Sequence, residues 1–136
     1  MPQVIVYKNE NGNVSVCIPT GELPIQEVLT KDCPLGAIIV EDSTLPQGDD
    51  AKFFDAWEMD AQGKVTVNLD KAKAIYMDWF NKAAIEAAQT RQNHTFAGIP
   101  NNGDDVTWQQ KVTVGRSSIK TSSSTSELLA ITLPTA

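Results

Sequence analysis

The chain has one histidine, His94, and two cysteines, Cys17 and Cys33. A catalytic imidazole needs an orienting carboxylate and a nucleophile within hydrogen-bond reach. His94 lies between Asn93 and Thr95 in a polar stretch where nothing supplies that set. The histidine and the two thiols together fall short of the four ligands of a structural zinc site, and no Cys-x-x-Cys is present. The cysteines lie sixteen positions apart. A disulfide between them is open, but two thiols are sparse for a secreted scaffold, so reduced, half-buried thiols in a reducing cytoplasm are expected. Asp49-Asp50, with Asp55 and Glu58 nearby, is the densest carboxylate cluster. Such a cluster can bind Ca²⁺ or do acid–base work. Here the EF-hand spacing and its closing Glu are missing, and Pro46 and Gly48 mark a loop, so a solvated acidic loop is the expectation. Asp104-Asp105, after Asn101-Asn102-Gly103, reads as a turn.

Phosphate-loop, dinucleotide, zinc-protease and nucleophile-elbow motifs are all missing from the sequence. The expectation is a protein that is not an enzyme and takes no cofactor, metal or small-molecule substrate. Asn13-Val14-Ser15 and Asn93-His94-Thr95 match the glycosylation pattern. No basic start followed by an apolar stretch announces a signal peptide, so these matches carry no weight.

Charge narrows the partners. The net charge of −6 argues against nucleic acid as the main partner, because such surfaces need clustered Lys and Arg. Residues 1–68 hold four Lys against eleven acids, and residues 69–136 hold seven basic residues against six acids. Lys111, Arg116 and Lys120 form a basic run with no acid between Val106 and Ser126, suited to an acidic protein surface. The longest apolar run, Ala37 to Val40, is far too short to span a bilayer, so no membrane association is expected.

These side chains must be held by an α+β fold: a small antiparallel sheet of hairpins with one long helix packed on it, followed by a β-rich C-terminal tail. Val4–Tyr7 and Val14–Ile18 flank Asn11-Gly12, the strongest short hairpin signal. Pro24–Leu29 predicts a short helix, Ala37–Val40 a strand, and Ala56–Met59 with Val65–Val67 a second hairpin. From Leu69 to about Gln92 there is no Gly or Pro. Ala72, Ile75, Tyr76, Trp79, Ala83 and Ala87 share one stripe, with Asn68 as N-cap. Trp57, Trp79 and Phe80 are expected in the core, near Ile39 and Val67.

The reading divides the chain into a front domain at 1–92, a linker at 93–105 and a β-rich arm at 106–136 for inter-subunit contacts. Val106–Val114 alternates and Leu128–Leu133 is apolar, with a Ser/Thr-rich stretch between them. Two strands with so little to bury call for cover from another chain. The expected interface residues are Trp108, Val112, Val114, Leu128, Leu129, Ile131 and Leu133, with Trp108 as aromatic anchor.

The order of motifs from Val4-Ile5-Val6 onward is distinctive. Gly12–Val16, Lys31–Gly36, Ile39–Asp42, Phe53–Glu58 and Gly63–Val67 run into Leu69-Asp70-Lys71-Ala72-Lys73-Ala74-Ile75. Over about residues 4–85 this resembles small proteins encoded among the tail and virion genes of tailed bacteriophages. The resemblance implies a non-enzymatic structural component of a virion: a tail, head–tail or fibre-attachment protein, made in the host bacterial cytoplasm. Its partners would be other phage structural proteins and copies of itself. The alternative is a tail or fibre assembly factor, a chaperone absent from the mature particle.

Overall fold

The computed structural model describes residues 2–136, and the chain divides into two compact units between Asn68 and Leu69. The first unit is built on β1 (Gln3–Lys8), β2 (Val14–Cys17) and β3 (Ile38–Glu41), an antiparallel sheet of order β2-β1-β3. The Asn-Gly signal is met: Asn9 Oδ1 accepts from the backbone N–H groups of Asn11 and Asn13, and Gly12 takes the positive φ the turn requires. Ile5 faces both Cys17 and Ile39, while Val6 faces Val16 and Ile38. Neighbouring residues of a strand point to opposite faces. Val4, Ile5 and Val6 are all buried, so both faces of the central strand are covered.

Helix α1 (Ile25–Asp32) packs against β1 and β3, and buries Val28. The hairpin of β4 (Trp57–Met59) and β5 (Val65–Val67) supplies Trp57 and Val65 to a core shared with Val6 and Val14. Val67 and Ile38 pack on this cluster, whereas Ile39 lies on the same face as Ile5. The hairpin turn rests on Asp60 Oδ1, which accepts from the N–H groups of Gln62 and Lys64 at 2.9 Å. Gly63 has a φ of 86° there, and a Cβ on it would stand 2.8 Å from Ile38 Cγ2. Glycine is thus required for the conformation and for the close approach. The segment Gly48–Ala56, of which residues 48–52 are expected as exposed loop, winds in 3-10 turns broken at Phe53. Trp57 holds it by donating its indole N–H to the Asp50 carbonyl at 3.1 Å.

The second unit is helical throughout: α2 (Leu69–Ala97), α3 (Asp105–Thr121) and α4 (Thr125–Ala130). This corrects the expected β-rich tail and the strands at 106–114 and 128–133. The apolar positions at 106–114 also obey a helical period. Trp108, Val112, Gly115 and Ile119 form the inward stripe of α3, and Val106 and Val114 face out. Both helices are capped by side chains. Asp104 accepts from Thr107 N–H at 2.7 Å, and Ser124 accepts from Glu127 N–H at 3.1 Å. The Ser/Thr content, read as a polar arm, is absorbed by back-bonding within α3. Thr113, Ser118 and Thr121 donate to the carbonyls of Gln109, Val114 and Ser117, and Ser122 at the C-cap donates to that of Ser118.

Helix α2 continues through the residues expected to begin the linker, as far as Ala97, and its buried stripe is Ala72, Tyr76, Phe80, Ala84, Ala87 and Arg91. That stripe finds its cover in α3 and α4. Trp79 lies one step off the stripe and is 38% exposed, so its expected place in the core is corrected; Phe80 and Trp57 are buried as expected.

Candidate functional site

Two features organise the surface of the helical unit. The first is the α2–α3 connection. Arg91, only 4% exposed, donates to Asp105 Oδ1 from Nε at 3.1 Å and Nη2 at 2.9 Å. It also donates to the carbonyls of Asn102 and Gly103, at 3.1 and 2.8 Å. Its guanidinium lies 5.5 Å from the centroid of the Trp108 ring. Such a planar fork suits several oxygens at fixed angles, and an aromatic face adds cation–π attraction. The loop is closed from the other side by Asn101, whose amide donates to the Arg91 carbonyl and whose Oδ1 lies 3.1 Å from His94 Nδ1. His94 thus belongs to a loop closure, and Asp104 and Asp105 are a cap and an ion-pair partner.

The second feature is a cavity of about 390 Å³ bordered by α3, Phe80 of α2 and the segment after α4. Two aromatic donors hold that segment by its main chain. The Tyr76 hydroxyl donates to the Ile131 carbonyl, and the Trp108 indole N–H donates to the Thr135 carbonyl at 2.8 Å. Burial raises the Tyr76 hydroxyl above its ordinary pKa, which keeps it a donor. Trp108, Val112, Val114, Ile131 and Leu133 line the cavity, so five of the seven expected interface residues meet at one place. Val114 is 63% and Leu133 38% exposed at this site. Val112 and Leu128 are buried inside the chain's own helical unit and are corrected to core residues, because helix formation turns them inward. Leu129 is half-buried and is not part of the cavity lining.

A second depression of about 300 Å³, along Ala88, Arg91, Thr95, Phe96 and Trp108, shares Trp108 with the cavity. Phe96, Ile99 and Val106, all well exposed, surround the α2–α3 connection in sequence. Sequence reasoning missed Arg91 and Phe96. Arg91 stands four positions after Ala87 and thus on the extended stripe of α2, which was a readable signal.

The carboxylates of the expected cluster lie in and just after one 3-10 segment. Asp49 and Asp50 lie in the first turn of the Gly48–Ala56 segment, and Glu58 accepts from the Asn68 amide at 2.8 Å. Among the described residues, no group of three or more His, Cys, Asp or Glu side chains is placed to hold a metal ion. No described helix is long and apolar enough to cross a membrane. No family model, curated protein or solved structure matches the chain.

Proposed function

We propose that this chain is a non-enzymatic structural component of a bacteriophage virion that works through protein–protein contacts, with the α3 cavity as its contact site. The observation that carries the reading is the cavity itself: a concave site of mixed polar and apolar lining, with Trp108, Ile131 and Leu133 on its walls and Val114 exposed at its edge. Interfaces favour an aromatic anchor in a pocket with apolar neighbours. Lys111, which also lines the cavity, supplies a cation for an acidic rim on the partner. The residue order over 4–85 supports the phage context, with other structural proteins and further copies of the chain as partners.

Mass spectrometry of purified particles and of the matching infected-cell lysate tests the placement. A structural component copurifies with the particle in fixed ratio. An assembly factor, the second reading, is present in the lysate and missing from the particle. The contact site is tested by Val114→Asp and Leu133→Asp, both at exposed positions. The variants are expected to fold normally and to be lost from the assembly. Normal incorporation of both would move the contact elsewhere.

A further inference from the structure

Outside the contact site, the sheet unit holds two neighbouring thiols. Cys17 ends β2, and Cys33 is the C-cap residue of α1. Both are half-buried and free, and Cys17 is a neighbour of the Cys33 thiol. The fold brings them together through the register of the sheet. Cys17 pairs with Ile5 on the face that Ile39 shares, and α1 packs against β1 and β3, which carry those residues. The segment between the two sulfurs contains Pro19, Gly21, Pro24 and all of α1, and exposes Ile18 and Leu23. The packing of α1 on β1 and β3 returns the segment to the sheet.

We propose that Cys17 and Cys33 form a reversible disulfide site, oxidised by a low-molecular-weight disulfide of the glutathione class. One protein thiolate attacks a sulfur of the small disulfide, forming a mixed disulfide and releasing one small thiol. The second protein thiol loses its proton and attacks the protein-side sulfur of that mixed disulfide. The Cys17–Cys33 bond forms, and the second small thiol leaves. Two protein thiols are oxidised, one small disulfide is reduced to two thiols, and the protons end on the departing sulfurs. The cross-link closes residues 17–33 into a loop and fixes the end of α1 to the edge strand, restricting the unfolded chain more than the folded one. Burial raises the Cys33 thiol above its ordinary value, and the adjacent Cys17 thiol adds to the rise. Oxidation therefore quickens as pH rises through the alkaline range.

The test uses the full chain, reduced and equilibrated with graded mixtures of oxidised and reduced glutathione, with and without urea. Trypsin cleavage after Lys31 separates the two cysteines, so the bond is read as peptide 9–31 joined to peptide 32–52 in monomeric protein. Oxidation is expected at glutathione ratios at least about tenfold more reducing in the folded chain than in urea, since a bond that stabilises the fold is stabilised by it. Cys33→Ser and Cys17→Ser should each hold a persistent glutathione adduct on the remaining thiol. Persistent adducts on the wild-type chain, a covalent dimer as first product, or easier oxidation in urea than in buffer would each overturn the proposal.

Discussion

Gly115→Ala sets two opposed effects against each other in the helical unit. Gly115 lies inside α3, where replacing glycine by alanine stabilises the helix by about 1 kcal/mol. A methyl group at this position would stand 2.4 Å from Cζ and 2.6 Å from Cε2 of Phe80, whose side chain is fully buried. Overpacking of a filled core costs about 1–3 kcal/mol. The neighbouring cavity gives the ring a partial outlet, which draws the cost toward the lower figure. The net expectation is a loss of roughly 0–2 kcal/mol, the difference of these two terms. Phe80→Leu removes the aromatic carbons in conflict, and in that background Gly115→Ala should stabilise by up to about 1 kcal/mol. The two measurements should therefore differ by about 1–3 kcal/mol, well beyond the additivity expected of independent sites. Urea unfolding followed by far-UV circular dichroism, together with amide exchange in α3, reports the change. Equal effects of Gly115→Ala in both backgrounds would refute the close approach of α3 to Phe80.

The other outcomes concern the connections and the first unit. Arg91→Ala leaves the carbonyls of Asn102 and Gly103 unpaired and should cost about 2–3 kcal/mol in thermal melts. Asp105→Asn should cost under about 1 kcal/mol, because Asp105 is 72% exposed. The Thr107 N–H holds the Asp104 carboxyl below its ordinary range. A value depressed by folding means stabilisation that is complete above the ordinary carboxylate range and lost as pH falls through the depressed value. Thr107 amide protection should therefore decline in acid, and Asp104→Asn should keep the cap while removing this site's share of the decline. Trp57→Phe deletes the bond to the Asp50 carbonyl and should cost about 1–3 kcal/mol, read by urea titration of the sheet unit.

The first unit was legible because its signals are local. Asn11-Gly12 sets the hairpin, and Val65-Thr66-Val67 leaves little alternative to a strand. The second unit was misread where one pattern served two periods. Val106, Trp108, Val112 and Val114 alternate as a strand would, yet Trp108, Val112, Gly115 and Ile119 also fall on one helical face. The β-branched residues favoured the first period, and tertiary cover from α2 decided for the second. The deciding local signals were present: Asp104 before Thr107, and Ser124 three positions before Glu127, the spacing of a capping box. Glu127 accepts from Ser123 N–H, one residue earlier than the usual reciprocal bond. Of the contact site, the sequence carried the residue types but not the enclosure. The cavity depends on the path of the chain after α4, and the pattern of Leu128–Leu133 suggested a strand instead of a helix and a strap. The nearness of the two thiols was illegible for the same reason, since sixteen positions of spacing say nothing about where α1 returns to the sheet.

The strap after α4 is held by donors that address only main-chain oxygens, Tyr76 on Ile131 and Trp108 on Thr135. Any L-amino acid offers the same carbonyl. Substitutions across residues 132–135 can therefore alter what the strap displays without altering where it lies. A saturation library over these positions should give a flat stability profile around two fixed aromatic latches. Diversity in partner preference is then available at the contact site with little penalty in folding, as in a scaffold whose variable segment is anchored blind to its own sequence.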